Sequence, residues 1–304
     1  MNILILKLGA TGDVVRTTPL LRTFIGSVTW VTEEKNRVFL DGIAENLRCF
    51  SWKDRNQALD AQYDLAINLE DTLEVAQFMR SAKPAEVFGA YADSSDALSY
   101  TNSSKCWFDL SVISRHGKKE ADALKLRNRR TYQELVFKGL GLKFCGERYL
   151  LPKGASTEFS GDVAIAAEAG PVWPMKKWAY YKELKDRLER QGLTVNVLPT
   201  RSSLLEHLSD VANHNCLVGG DSLPMHLALG TGTPCVSIFN CTSPWEIHDY
   251  GIQTKIVSPL LEQYFYQRGY DERGTTAIGV DEVEAAVLAQ LETAPAPSGP
   301  TTAR

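Results

Sequence analysis

The chain opens with Asn2-Ile3-Leu4-Ile5-Leu6-Lys7-Leu8, followed at once by Gly9-Ala10-Thr11-Gly12-Asp13. A continuous apolar run of this length reads as a strand buried on both faces, the pattern of a parallel sheet. The glycine-containing turn hands over to a helical spacing at Val14, Val15, Leu20, Leu21 and Phe24, with Pro19 as an irregularity. This strand–turn–helix unit recurs. Residues 28–32, 65–69 and 86–90 read as further strands, and 71–80 as a helix. Such alternation predicts a doubly wound α/β domain.

Residues 92–131 break the pattern. Ser, Asn, Lys and Arg dominate there, and 115–130 holds seven basic and two acidic residues, which predicts an excursion with a basic helix. Helical spacing returns over 131–140. A second α/β series then starts near residue 160. Its strands are expected at 163–167, 193–198, 216–220, 234–239 and 254–257, and its helices at 178–191, 204–213, 222–230 and 280–291. We therefore expect two Rossmann-like domains, 1–155 and 156–293. Residues 294–304, rich in Pro, Ala and Thr, are expected to form a disordered tail.

A length of 304 residues suits two domains. Hydrophobic residues at 44% and charged residues at 23% exclude collagenous, mainly disordered and disulfide-scaffold classes. A pI near 5.8 argues against an overall basic nucleic-acid binder. The net charge of −4 is uneven. Residues 1–150 carry 21 Lys+Arg and 19 Asp+Glu, whereas 151–304 carry 12 and 18. Six cysteines with neither C-x-x-C nor zinc-finger spacing read as scattered reduced thiols. No apolar run approaches the ~20 residues that span a bilayer, and the first residues lack signal-peptide character. The expectation is a cytoplasmic protein, free to touch a membrane peripherally.

In doubly wound sheets, ligands bind beyond the carboxyl ends of the strands. Four loops qualify. Gly9, Ala10, Thr11 and Gly12 bring a helix start after the first strand, suited to an anionic or polar ligand. The loop is neither a P-loop nor a full G-x-G-x-x-G. Asp13 then reads either as a general base or as a helix cap. In Trp173-Pro174-Met175-Lys176-Lys177-Trp178, a lysine would neutralise a diphosphate, or the pair is simply exposed and Trp178 is a core anchor. In Gly219-Gly220-Asp221-Ser222-Leu223-Pro224-Met225-His226, Asp221 and Ser222 would cap a helix that offers N–H groups to phosphate. His226 would face the same ligand, or be a satisfied core histidine. The fourth loop, Asn240-Cys241-Thr242-Ser243-Pro244, offers hydroxyls to a phosphate or sugar.

The run from Ile3 to Leu21, with Gly-Ala-x-Gly-Asp-Val-Val and a later Pro-Leu-Leu, resembles the start of the ADP-heptose heptosyltransferases, glycosyltransferase family 9. Lys176-Lys177-Trp178 resembles the family's Lys-x-Trp. The segment from Asp221 to Gly230 resembles its Asp-Ser/Thr-Gly-x-x-His-Leu signature, with Leu223 where the family has Gly. Thr242-Ser243-Pro244 resembles its Thr-x-Pro turn, with Asn240-Cys241 replacing Gly-Pro. The resemblance implies a GT-B fold, two Rossmann-like domains facing a cleft, and an inverting, metal-independent glycosyl transfer without cofactor from a nucleotide sugar such as ADP-heptose. It implies Asp13 as base and Lys176 on the leaving diphosphate. Asp221, Ser222, Leu223, Pro224, Met225, His226 and Thr242 would bind the donor, and Gly9 to Gly12 would line the acceptor side. The acceptor would bear a hydroxyl, and would be anionic if the basic stretch 115–130 meets it. Two other readings are a dinucleotide-dependent oxidoreductase, against which the missing G-x-G-x-x-G speaks, and a non-catalytic sugar-nucleotide binding protein.

Overall fold

The computed structural model describes residues 1–110 and 116–293, the side chain of residue 293 excepted. The expected tail at 294–304 and Arg115 of the basic stretch lie outside the described residues. The chain divides into two compact units. One comprises Met1–Gly154 together with Ser243–His248; the other comprises Ala155–Thr242 and the chain from Asp249 onward. The expected division at 155/156 has no counterpart to the excursion of Ser243–His248.

The first unit is built on a six-stranded sheet. Its strands are β1 (Asn2–Leu6), β2 (Ser27–Thr32), β3 (Leu47–Ser51), β4 (Leu65–Asn68), β5 (Glu86–Ala92) and β6 (Leu98–Tyr100). The order is β3-β2-β1-β4-β5-β6, parallel except for β6. Ile3, Leu4, Ile5 and Leu6 of β1 are wholly buried because helices and loops cover both faces of a central parallel strand. Ile3 and Ile5 pack into a core with Val14, Leu20, Trp30, Tyr132 and Phe137. Leu4 and Leu6 point to the other face, with Val31, Ala66, Val75 and Met79. β1 pairs with β2 on one side and β4 on the other. The strand order therefore reverses between β1 and β4, and the crevice beyond their carboxyl ends is this unit's expected ligand site.

The helix expected to follow β1 is shorter than its apolar spacing suggests. It spans Thr11–Thr17 and gives way to a 3₁₀ turn at Thr18–Arg22. Pro19 accounts for the change, since it removes an amide donor and crowds the preceding turn. The Thr17 and Thr18 hydroxyls turn back onto the carbonyls of Asp13 and Val15.

The second unit holds β7 (Gly161–Ala166), β8 (Val195–Val197), β9 (His214–Gly220), β10 (Cys235–Phe239) and β11 (Gln253–Val257). All five are parallel, in the order β11-β10-β9-β7-β8. Here the order reverses between β7 and β9. The core gathers Val163, Ile165, Val218, Val236 and Ile238 from the sheet, and Trp178, Leu184, Leu188, Val283 and Val287 from the flanking helices. Trp178 is buried, edge-on to Tyr181, and its indole N–H donates to the Ile278 carbonyl. It is the core anchor that one reading of the loop expected. Trp178→Ala is expected to cost about 3–5 kcal/mol of stability, read as a lower urea midpoint at unchanged slope.

Candidate functional site

In the first unit, Gly9 follows β1, Ala10 occupies the N-cap position, and Thr11, Gly12 and Asp13 form the first helical turn. Asp13 does not cap the helix. No side chain does, and the Asp13 amide donates to the Ala10 carbonyl. The carboxylate is about one-third exposed and faces two cations. Its Oδ1 lies 2.9 Å from the Arg16 guanidinium, and its Oδ2 lies 4.0 Å from Lys7 Nζ.

Lys7 is the charged residue inside the apolar run, and it is buried. Glu70, just past the end of β4, explains how. Its Oε1 accepts from Lys7 Nζ at 2.7 Å, from the Leu8 amide at 2.7 Å and from the Gly9 amide at 3.4 Å. One carboxylate thus neutralises the buried lysine and fixes the loop. Asn36 ties down the other side, accepting from the Thr11 hydroxyl and donating to the Leu8 carbonyl. Arg16 lies over the ring of Tyr132 at 4.2 Å, a cation–π arrangement that suits a poorly solvated guanidinium. The Tyr132 hydroxyl is bonded to Thr17 at 2.6 Å, and burial raises its pKa well above the ordinary phenol value, so it stays protonated.

The basic stretch is largely consumed by the fold. The helix Lys118–Arg127 carries it. Lys118 pairs with Asp122, Lys125 is buried against Glu246 at 3.1 Å, and Arg127 reaches Glu120 at 3.8 Å. Arg129 stacks on Trp245 at 3.7 Å. An anion would therefore meet Lys119 and Arg130 more readily than Lys125 or Arg129.

In the second unit, the loop after β7 ends in a 3₁₀ turn at Pro174–Lys176. Asn240, at the end of β10, donates to the Met175 carbonyl and fastens that turn. Lys176 Nζ then reaches Asp221, bonding its carbonyl at 2.6 Å and its carboxylate at 3.1 Å. Of the two lysines, Lys176 is mostly enclosed and Lys177 is exposed beside Glu168. Burial opposes ionisation of Asp221, but the charges of Lys176 and His226 outweigh it, and the carboxyl is held well below the usual range. The Thr242 hydroxyl lies close enough to favour the ionised form, though outside hydrogen-bonding geometry.

The helix Leu223–Thr231 starts at this point, and its capping differs from the expectation. Ser222 occupies the N-cap position, but its hydroxyl turns back to the Gly220 carbonyl and makes no cap. Asp221 is engaged by Lys176 instead. The first intrahelical bond runs from the His226 amide to the Ser222 carbonyl. Pro224 has no N–H, so the Leu223 and Met225 amides lie ahead of that bond and point out of the amino end. His226 and Met225 are buried, whereas Leu223 and Pro224 line a cavity of about 280 Å³. Glu168, Thr200, Arg201 and His207 are its polar lining. These four were not anticipated. All sit past strand ends in loops or helices whose sequence carries no motif, and only the topology gathers them.

Gly220 is held by close packing. A Cβ there would stand 2.9 Å from the Lys176 carbonyl. Gly220→Ala is expected to displace the Lys176 turn at a cost of about 1–3 kcal/mol, read as a lower urea midpoint. An unchanged midpoint would mean that the turn tolerates the shift.

Among the described residues, no helix is long and apolar enough to cross a membrane, and no group of three or more His, Cys, Asp or Glu is placed to hold a metal.

Residues 173–268 match the model of glycosyltransferase family 9 (heptosyltransferase). A search of the curated proteins found no match. Solved structures match along nearly the whole chain. A glycosyl transferase family 9 protein from Veillonella parvula is 15% identical with a TM-score of 0.68, over 96% of this chain and 97% of that one. The E. coli heptosyltransferase WaaC with ADP is 16% identical with a TM-score of 0.62, over 95% and 100%. The E. coli ADP-heptose lipopolysaccharide heptosyltransferase II is 15% identical with a TM-score of 0.60, over 96% and 99%. At these identities the likeness is one of fold, and that fold is GT-B. The matched span contains Lys176, Asp221 to His226 and Thr242, the residues gathered at the carboxyl ends of β7, β9 and β10. The match over residues 173–268 and the shared fold along nearly the whole chain are both likenesses to glycosyltransferase family 9, the heptosyltransferase family.

Proposed function

We propose that the protein moves a heptosyl group from ADP-heptose, or a closely related nucleotide sugar, to an acceptor hydroxyl with inversion at the anomeric carbon. The observation that carries this reading is Lys176 beside the uncapped amino end of the helix Leu223–Thr231. A diphosphate seated there meets an ammonium, two outward amides and the positive end of a helix dipole. Charge that builds on the leaving diphosphate in the transition state is stabilised by groups already in place. The adjoining cavity of about 280 Å³ accepts the nucleoside, with Glu168 and Thr200 available to its hydroxyls. The E. coli neighbour was solved with ADP and with ADP-2-deoxy-2-fluoro heptose, which supports the same donor class here.

On the first unit, Asp13 takes the proton of the acceptor hydroxyl as the oxygen attacks. Inversion needs one such base and one leaving-group clamp. Asp13 and Lys176 fill these roles without a covalent intermediate. The loop from Gly9 to Gly12 borders the acceptor. An anionic acceptor, free or at a membrane surface, would be drawn to Lys119 and Arg130.

The test is a panel of nucleotide sugars incubated with the protein and a set of hydroxyl acceptors, followed by mass spectrometry. ADP-heptose is expected to be consumed with release of ADP. Consumption of a different nucleotide sugar alone would overturn the donor assignment, and absence of any turnover would favour a binding protein.

A further inference from the structure

The Asp13 carboxylate lies between two cations, and each cation already has a carboxylate of its own. Lys7 is 2.7 Å from Glu70 and 4.0 Å from Asp13. Arg16 is 2.9 Å from Asp13 and 3.9 Å from Glu246. Glu246 in turn pairs with Lys125 at 3.1 Å. All these residues belong to the first unit, and charge alternates along the whole row. The inner members are enclosed: the side chains of Arg16, Glu246 and Lys125 are 11%, 4% and 7% exposed.

Two cations beside a carboxylate stabilise its charged form and make it a poor proton acceptor. A general base works best with a pKa nearer the operating pH. The arrangement is therefore counterproductive for a base unless something offsets the cations. Glu70 does this for Lys7, but it also holds the Leu8 and Gly9 amides. Glu246 has a narrower position. Among the described residues it touches no residue of the Gly9–Gly12 loop, and its enclosed carboxylate lies 3.9 Å from the Arg16 guanidinium. Its backbone carbonyl accepts from the amide of Tyr132, the residue on whose ring Arg16 rests.

We propose that Glu246 is a positioning residue for Asp13: it anchors Arg16 and shares its charge, so that Arg16 orients the Asp13 carboxylate without abolishing its basicity. This rests on the reading of Asp13 as the base. The charged and titratable groups around Asp13 in this arrangement are Lys7, Arg16, Glu70, Tyr132 and Glu246. Glu246 is the one whose removal unbalances Arg16 while leaving the loop contacts in place.

The test reads the Asp13 carboxyl directly, by ¹³C NMR titration of protein labelled at aspartate Cγ. Its signal is identified by its loss in Asp13→Asn. In Glu246→Gln the Asp13 pKa is expected to fall by about half a unit to one unit, and in Glu246→Asp to stay near the parent value. With the donor and acceptor found by the panel above, kcat of Glu246→Gln is expected to drop about three- to tenfold with donor KM within twofold. The acid limb of its pH profile moves to lower pH. An unshifted Asp13 signal and an unshifted limb would show that Glu246 merely balances Lys125, and would overturn the proposal. If Glu246→Gln fails to fold because Lys125 is left buried alone, Glu246→Gln/Lys125→Met removes both charges. A smaller shift in the same direction is then expected, and no shift again overturns the proposal. Asp13→Asn in the same transfer assay separates the two ideas. Retained turnover there sinks the base assignment itself, whereas lost turnover with an unmoved Glu246→Gln profile sinks only the role of Glu246.

Discussion

Asp13→Asn is expected to leave the protein folded and competent for ADP, and to slow glycosyl transfer about 10²–10⁴-fold, the range general bases contribute. The amide keeps the shape of the carboxylate and removes its ability to take a proton. Little of the fold depends on the lost charge. Asp13 is about one-third exposed, its backbone amide and carbonyl make the local hydrogen bonds, and Glu70 rather than Asp13 neutralises the buried Lys7. Calorimetric titration with ADP should therefore match the parent protein, because the residues proposed for the donor belong to the other unit. Transfer with normal kcat would mean that another group removes the proton.

Lys176→Ala is expected to lower kcat at least tenfold and to weaken ADP binding as well. Two effects combine. The diphosphate loses its ammonium, a transition-state contribution that for single preorganised donors is often about 10²–10³-fold. Asp221 also loses the partner that orients it and holds its carboxyl well below the usual range. That second effect has a pH signature. A group whose folded pKa is depressed stabilises the native state above its unfolded pKa, and this contribution fades as pH falls through the folded value. The thermal stability gap between parent and Lys176→Ala should thus be full at pH 5–7, start to narrow as pH falls through the unfolded Asp pKa near 3.9, and close only below the still lower folded value. Lys176→Arg should restore most of the stability gap and less of the rate, since a guanidinium matches the charge but not the compact shape of the ammonium. A gap independent of pH would show that Lys176 does not govern Asp221.

The central strands were legible from sequence for one physical reason. β1, β4, β7, β9 and β10 are covered on both faces, so each is a short apolar run bounded by glycine or polar residues. β3 and β6 lie toward or at the sheet edge and were missed. β3 reads Leu47-Arg48-Cys49-Phe50-Ser51 and is only partly buried, so polar residues dilute its pattern. The loops at the carboxyl ends carried their own signals, and the structure brings Lys176, Asp221, His226 and Thr242 together. What no local pattern revealed is the company Asp13 keeps. Arg16 is one turn away, but Glu70, Tyr132 and Glu246 come from distant segments. The single hint was Lys7, a charge inside the apolar run from Ile3 to Leu8, since a buried lysine requires an anion from somewhere. The capping of the helix Leu223–Thr231 was misread for a related reason. Asp221 has the sequence position of a cap, but Lys176 claims it from 45 residues away.

The return of Ser243–His248 to the first unit bears on how the chain matures. During synthesis, amino-terminal domains usually fold first. Here residues 1–154 leave the ribosome without the anion for Lys125, the ring for Arg129 and the acceptor for the Tyr132 amide, all of which come from Trp245 and Glu246. The nascent first unit stays incomplete until some ninety more residues, most of the second sheet among them, have been translated. A chain cut after Gly154 would carry the same vacancy permanently. The two units are thus separable as cores but not as products of translation.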